Sequence, residues 1–267
     1  VAALQAAWSA ITGTPLPDED PVAGTSPADH LADALDAAVR AGGDTDTVAA
    51  IAGALLGARW GASAVPLAWS RIVHGWPGLR GRDLIRLGLL AARGGHPDPS
   101  GWPSVPVFDY SAYGDVDAFA RHPHDPGVLL GGVGVLRDLP EGVDAVVSLC
   151  RLGADDVPAP GVEPGNHAEV WLVDSPDPTV NPYLHHVLRE AADAVAHLRR
   201  EGRTVLLHCV QAQSRTPTVA ALYAARHLGV PADEALDAVC EALPDAHPNR
   251  VFRDAVQVLD PQGGSRR

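Results

Sequence analysis

Residues 205–216 read VLLHCVQAQSRT: an apolar run, a cysteine, five residues, an arginine, then Thr216-Pro217-Thr218 opening an apolar segment. Each part has a chemical use. A turn between strand and helix aims successive backbone N–H groups into one concavity and forms an anion nest. The N-terminus of the following helix adds unpaired donors and a favourable dipole. The same donors favour a thiolate, which makes Cys209 the candidate nucleophile. Arg215 returns to the loop as a planar fork for two phosphoryl oxygens. The phosphate-binding groups are therefore the backbone amides of Val210, Gln211, Ala212, Gln213, Ser214, Arg215 and Thr216, with the Arg215 side chain. The Thr216 hydroxyl is expected on the Cys209 sulfur, and His208 is expected to orient the loop through hydrogen bonds. Cys150 and Cys240 carry no such surroundings and read as core residues.

A second constellation lies at residues 42–47, GGDTDT, just before an apolar run. Two carboxylates and a hydroxyl are hard oxygen donors of the kind Mg²⁺ takes. Asp and Thr are also the ordinary residues for capping a helix N-terminus. Spacing alone favours capping, because two carboxylates make an incomplete shell.

The elements that must position these groups fall into two halves. Before residue 94 only helical patterns appear: 1–11, a helix from Ser26-Pro27 to Arg40, the Ala- and Gly-rich run after Thr47, and 66–74 and 81–92. No strand is expected before residue 100. Residues 94–106, GGHPDPSGWPSVP, are dense in Pro and Gly and read as a linker. Beyond them, strands are expected at 128–130, 143–149, 167–173 and 204–208, and helices at 182–200, after Thr216, near 232–242 and near 250–258. Alternating strand and helix makes this half α/β. The domains so read are 1–93, all-α; 107–260, α/β; and 261–267, a frayed tail.

HCVQAQSRT at 208–216 resembles the signature of the cysteine-based protein phosphatases, most closely the compact dual-specificity type. The resemblance implies a central sheet flanked by helices and hydrolysis of phosphomonoesters through a cysteinyl-phosphate intermediate without a metal cofactor. It also implies a loop aspartate as general acid. WLVDSPDPTVNP offers Asp174 and Asp177, and Asp174 matches the family's place for that acid better. One position departs from the pattern: the family has glycine three residues after the cysteine, and here Ala212 stands. If that glycine needs positive φ, alanine is strained by about 1 kcal/mol or more.

Residues 42–61, GGDTDTVAAIAGALLGARWG, with VPLAW after them, resemble the C-terminal metal motif of the ADP-ribosylglycohydrolases. That family is all-α with two Mg²⁺ ions, and Asp44, Asp46 and Thr47 fall on its C-terminal ligand positions. Its other ligands come from an N-terminal acidic cluster, which Asp18, Glu19 and Asp20 do not match. The first half thus reads as a partial domain. It is expected to bind Mg²⁺ weakly or not at all by itself and to remove ADP-ribose only as part of a longer two-enzyme chain.

Composition limits the partners. The chain has 20 Lys and Arg against 33 Asp and Glu, a formal net charge of -13, which argues against nucleic acid and anionic lipid. Three cysteines suit a reducing compartment, and the expected location is cytoplasmic. The substrate implied is a phosphorylated protein or a small phosphorylated metabolite. A phosphate-binding module without turnover is the other reading of Ala212. Met is absent even at position 1, so the chain has an alternative start or is a fragment.

Overall fold

A computed structural model describes residues 1–243 and 245–260. The tail expected to fray, 261–267, lies outside them.

The N-terminal half is built on three helices, α1 (Ala2–Gly13), α2 (His30–Arg40) and α3 (Thr45–Trp60). Their contact faces carry small residues, and Ala7, Ala28, Ala34, Ala38 and Ala52 are fully buried around Leu31, Leu56 and Trp60. Side chains this small let helix axes approach closely. Ser26 caps a single 3₁₀ turn, Pro27–Asp29, that leads into α2, and Asp29 reciprocates by accepting from the Ser26 amide. Two further helices follow, the short α4 (Leu67–Ile72) and α5 (Gly81–Ala92). Between them stands a hairpin of two-residue strands, β1 (His74–Gly75) and β2 (Leu79–Arg80). The expectation of no strand before residue 100 is corrected here. The element is too short to produce an alternating pattern, and a turn at Trp76–Gly78 makes it.

The second half holds a five-stranded sheet in the order β3-β4-β7-β5-β6. Its strands are β3 (Phe119–His122), β4 (Asp125–Gly131), β5 (Ala145–Ser148), β6 (His167–Glu169) and β7 (Val205–His208). β3 pairs antiparallel with β4, and the other pairs are parallel. β7 is central and buried along its length, as its unbroken apolar run requires. Period-two alternation sends Val205 and Leu207 to one face and Leu206 to the other. The first face is covered by α6 (Leu184–Arg200), α7 (Arg215–Tyr223), α8 (Ala232–Ala242) and α9 (Arg250–Val258). The second is covered by irregular chain and 3₁₀ turns that contribute Leu136, Cys150, Leu152, Ala159 and Val162. Helices therefore lie on one face of the sheet and loop structure on the other. Strand β3 was not expected, because Phe-Ala-Arg-His at a sheet edge has no apolar alternation.

Residues 94–106 form no helix or strand, yet they are held. Trp102 is buried and donates its indole N–H to the Leu152 carbonyl at 3.2 Å. Asp98 pairs with Arg151 at 2.8 Å. The two halves are joined by further polar contacts: the Leu67 amide to Glu190 at 2.9 Å, Arg71 to the Gly165 carbonyl at 2.8 Å, and Arg189 to Asp29 at 2.7 Å. No helix among the described residues is long and apolar enough to cross a membrane.

Candidate active site

Cys209 stands one residue beyond the C-terminal end of β7, and α7 begins at Arg215. Both lie where parallel strands end, the usual place for a site in such sheets. Among the described residues, the amides of Val210, Gln211, Ala212, Gln213 and Ser214 donate to no protein acceptor. The loop is pinned instead through its carbonyls and its ends. Val210 O accepts from the Val133 amide at 2.9 Å, Gln213 O from His247 at 2.7 Å, and the Cys209 amide donates to Gly131 O at 3.3 Å. Gly132 permits this approach, since a Cβ there would collide with the Val116 carbonyl.

Ala212 adopts φ 58° and is buried. The position does require the left-handed region, so alanine carries the strain that glycine would avoid.

Arg215 is oriented by two carbonyls. Its Nη1 donates to Leu149 O at 2.9 Å and to Leu172 O at 3.0 Å. These bonds fix the guanidinium plane. Nε is buried without a hydrogen-bond acceptor, and the nearest carboxylate oxygen, Asp174 Oδ2, is 4.0 Å away. The Nε–Nη2 edge is thus left for a bidentate anion.

Asp174 and Asp177 occupy different surroundings. Asp174 accepts from Ser214 Oγ at 2.8 Å and from Asn249 Nδ2 at 3.0 Å, both through Oδ1. The backbone just before it is clamped by buried Asn181, which accepts from the Val173 amide at 2.8 Å and donates to the Val173 carbonyl at 2.9 Å. Asp177 is exposed and caps a turn, accepting from the amide and hydroxyl of Thr179 at 2.9 and 2.7 Å. The Thr179 amide, then its hydroxyl, hold the Asp177 carboxyl below its ordinary range. The strand expected over 167–173 ends at Glu169, so Asp174 follows an irregular stretch rather than the strand itself.

The Thr216 hydroxyl departs from expectation. It is buried and donates to Gly131 O at 3.4 Å, the carbonyl that also receives the Cys209 amide, and not to the sulfur.

A buried chain of hydrogen bonds supports the cysteine. The Ala159 amide donates to His167 Nδ1 at 3.0 Å, so His167 carries its proton on Nε2. Nε2 lies 2.7 Å from Ser148 Oγ, which lies 2.6 Å from His208 Nε2. His208 Nδ1 faces the Cys209 carbonyl at 3.1 Å and must donate to it. The fixed donor at one end and fixed acceptor at the other set the direction of every bond between. Burial pushes the His208 imidazole down to about 4 and holds His167 well below its ordinary range, so both rings are neutral near pH 7.

Cys150 is buried in the cluster beneath the loop, and burial pushes its thiol up to about 12. Cys240, read as core, is only partly buried. Three aromatic residues gather beside the loop. Tyr110 packs against Phe108 and Tyr113 at ring distances of 5.0 and 5.6 Å, and Gln211 donates to the Tyr113 carbonyl at 2.5 Å. Ser148, His167, Asn181 and this aromatic group were not singled out from the sequence. Only the last left a trace there: FDYSAY, residues 108–113, holds one of the chain's 3 Phe and two of its 4 Tyr.

Asp44, Asp46 and Thr47 are exposed together at the start of α3. Asp44 takes the N-cap position of α3; Asp46 first, then the hydroxyl and amide of Thr47, hold its carboxyl below the ordinary range, although no capping bond of full geometry forms. No group of three or more His, Cys, Asp or Glu side chains among the described residues is arranged to hold a metal ion. Asp44, Asp46 and Thr47 alone do not fit Mg²⁺, which requires a near-octahedral oxygen shell.

Residues 1–98 match the family model of the ADP-ribosylglycohydrolases. No curated protein matches the chain. Among solved structures, a mouse putative dual specificity phosphatase complexed with zinc tungstate is 26% identical, covering 57% of this chain and 93% of that one, with a TM-score of 0.45. Human DUSP28 is 23% identical over 54% of this chain and 93% of that one, with a TM-score of 0.45. The PTP-2 phosphatase of Cydia pomonella is 23% identical over 53% and 89%, with a TM-score of 0.45.

Proposed function

We propose that the second half hydrolyses phosphomonoesters through a cysteinyl-phosphate intermediate. The observation that carries this reading is the pairing of five acceptor-free loop amides with the open Nε–Nη2 edge of Arg215 around Cys209. In the first step the Cys209 thiolate attacks phosphorus, the P–O bond to the leaving group breaks, and Asp174 protonates the departing oxygen. In the second, Asp174 takes a proton from water, the water oxygen attacks phosphorus, and the S–P bond breaks to return the thiolate. Loop amides and Arg215 hold the charge that grows on the equatorial oxygens. His208 holds the Cys209 carbonyl and acts as neither acid nor base. The chemistry needs no bound ion, since Arg215 and the amides supply the positive charge. The substrate is a phosphorylated protein or a small phosphorylated metabolite.

Turnover of p-nitrophenyl phosphate at pH 5–7, compared with Cys209→Ser, tests the reading. Activity no greater than that of the variant would sink it. Tungstate binding without turnover would leave a phosphate-binding module instead, which the strained Ala212 also favours.

A second reading rests on the family match of residues 1–98. In a longer chain, Asp44, Asp46 and Thr47 would contribute part of a Mg²⁺ site for ADP-ribose removal from a protein or small acceptor. In-frame coding sequence upstream of Val1 that encodes an acidic cluster would support it, and a stop codon close upstream would remove it.

A further inference from the structure

Where α4 and α5 meet the β6 edge of the sheet, the two halves enclose a cavity of about 230 Å³. Its apolar wall is made by Val65, Leu67, Ile85 and Leu89 from one side and Trp102 and Trp171 from the other. The two indoles meet edge to face, with ring centroids 5.5 Å apart. Such a wall takes a flat, apolar body.

The polar groups on the same wall are unevenly satisfied. Four arginines, Arg71, Arg80, Arg82 and Arg86, face three carboxyls, Asp83, Glu169 and Glu190. Each carboxyl is engaged: Asp83 by the Arg80 amide at 2.9 Å, Glu169 by Arg82 at 2.9 Å and Glu190 by the Leu67 amide at 2.9 Å. Arg71 and Arg82 are engaged by carbonyls and carboxylates of the second half. The Arg86 guanidinium, half-buried, makes no hydrogen bond or ion pair among the described residues. The Trp171 indole N–H is buried and has no acceptor. A buried donor without a partner is costly, so a ligand that supplies the acceptor recovers that cost.

We propose that this cavity binds a compact aromatic carboxylate, a site separate from the Cys209 loop. The ring system lies against the indoles and the aliphatic wall. The carboxylate pairs with Arg86 and accepts from Trp171 Nε1. The charges favour a monoanion: Arg71 is paired with Glu201 and Arg82 with Glu169, Arg86 is the half-buried guanidinium without a carboxylate, and Asp83 and Glu190 oppose a second negative charge. The volume suits one or two fused rings.

Isothermal titration of the 267-residue chain with sodium 2-naphthoate tests the site. The expected result is one saturable event with a Kd of about 10–300 µM. It should weaken at least tenfold in Arg86→Gln and in Trp171→Phe, and the neutral 2-naphthamide should bind at least tenfold more weakly than the acid. Absence of saturable heat shows a merely hydrated gap and overturns the proposal. So does equal affinity in Arg86→Gln, or equal affinity for the amide. Arg86 makes no hydrogen bond or ion pair among the described residues and glutamine keeps most of its stem, so its variant carries the test even if Trp171→Phe is unstable. p-Nitrophenyl phosphate turnover is a separate readout, and its absence has no bearing on this site.

Discussion

Ser214 donates its hydroxyl to Asp174 Oδ1 across 2.8 Å, and this bond ties the loop between β7 and α7 to the segment that follows β6. The carboxyl proposed to protonate the leaving group is thereby held within reach of the loop proposed to bind the phosphoryl group. Asp174→Asn keeps an oxygen to accept from Ser214 but cannot transfer a proton. Turnover should fall about 10²–10⁴-fold on alkyl phosphates, and much less on p-nitrophenyl phosphate, whose leaving group needs no proton. Asp177→Asn should leave both rates unchanged. Steady-state kinetics on the two substrates checks this, and an equal loss on both would remove the acid role.

Ala212 at φ 58° is a local conflict between residue and backbone. Glycine relieves a left-handed strain of about 1–2 kcal/mol and adds about 0.5–1 kcal/mol of unfolded-state entropy. Ala212→Gly should therefore stabilise the chain by up to about 1.5 kcal/mol in urea unfolding, and Ala212→Val should destabilise it. A less stable glycine variant would mean that the Ala212 methyl packs better than its backbone suffers.

The buried neutral histidines make a signed prediction for pH. His208 is pushed down to about 4 by burial, below its unfolded value near 6.5. Between those values the unfolded chain binds the extra proton, so stability rises with pH across about 4–6.5 and is lost on acidification. The contribution is on the order of 3 kcal/mol. Glu169, pushed up to about 7 by burial, acts in the opposite sense as pH rises from its ordinary value. The diagnostic is therefore the difference between wild type and His208→Asn: urea midpoints measured from pH 4 to 7 should show a shallower acid loss in the variant.

Arg82 fastens α5 to the second half. Its guanidinium reaches the carbonyls of Leu152, Gly153 and Ala154 and pairs with Glu169 at 2.9 Å, where the carboxylate is 11% exposed. Removing one partner of such a pair strands the other. Arg82→Met should cost about 3–5 kcal/mol, and Arg82→Met with Glu169→Leu should recover most of it. Additive losses in the double variant would show that the carbonyl contacts, not the ion pair, carry the interaction.

Metal removal should separate the halves. Turnover at Cys209 is expected to be indifferent to EDTA and to Asp46→Ala. Titration with Mg²⁺ should show no low-micromolar site, because Asp44, Asp46 and Thr47 supply one side of an octahedral shell. A low-micromolar Kd abolished by Asp46→Ala would show that the first half holds a complete site.

Local order left a strong imprint on the sequence. The unbroken VLLH run and the Thr-Pro start beyond Arg215 marked the strand–loop–helix that carries Cys209, because burial on both faces and helix initiation are decided within a few residues. The apolar face of α6, with Val187, Leu188, Ala191, Val195 and Leu198 buried, was legible for the same reason. Contacts between distant segments left almost none. Nothing near Ser148 or His167 announces that they complete a chain of hydrogen bonds to His208, since β5, β6 and the approach to Cys209 become neighbours only through parallel pairing. Asn181 reads as an ordinary loop residue until it clamps Val173. Ala212 was conspicuous as a residue type, but its left-handed φ is imposed by the loop's anchors at Gly131, Val133 and His247. The interlobe cavity has no sequence signature at all: Arg86 and Trp171 are unpaired only because the packing of α5 against the sheet edge brings each to a wall without an acceptor. Short-range propensity and periodicity determined the elements and the place of Cys209 between strand and helix, whereas long-range packing decided which polar groups are satisfied and which are left open.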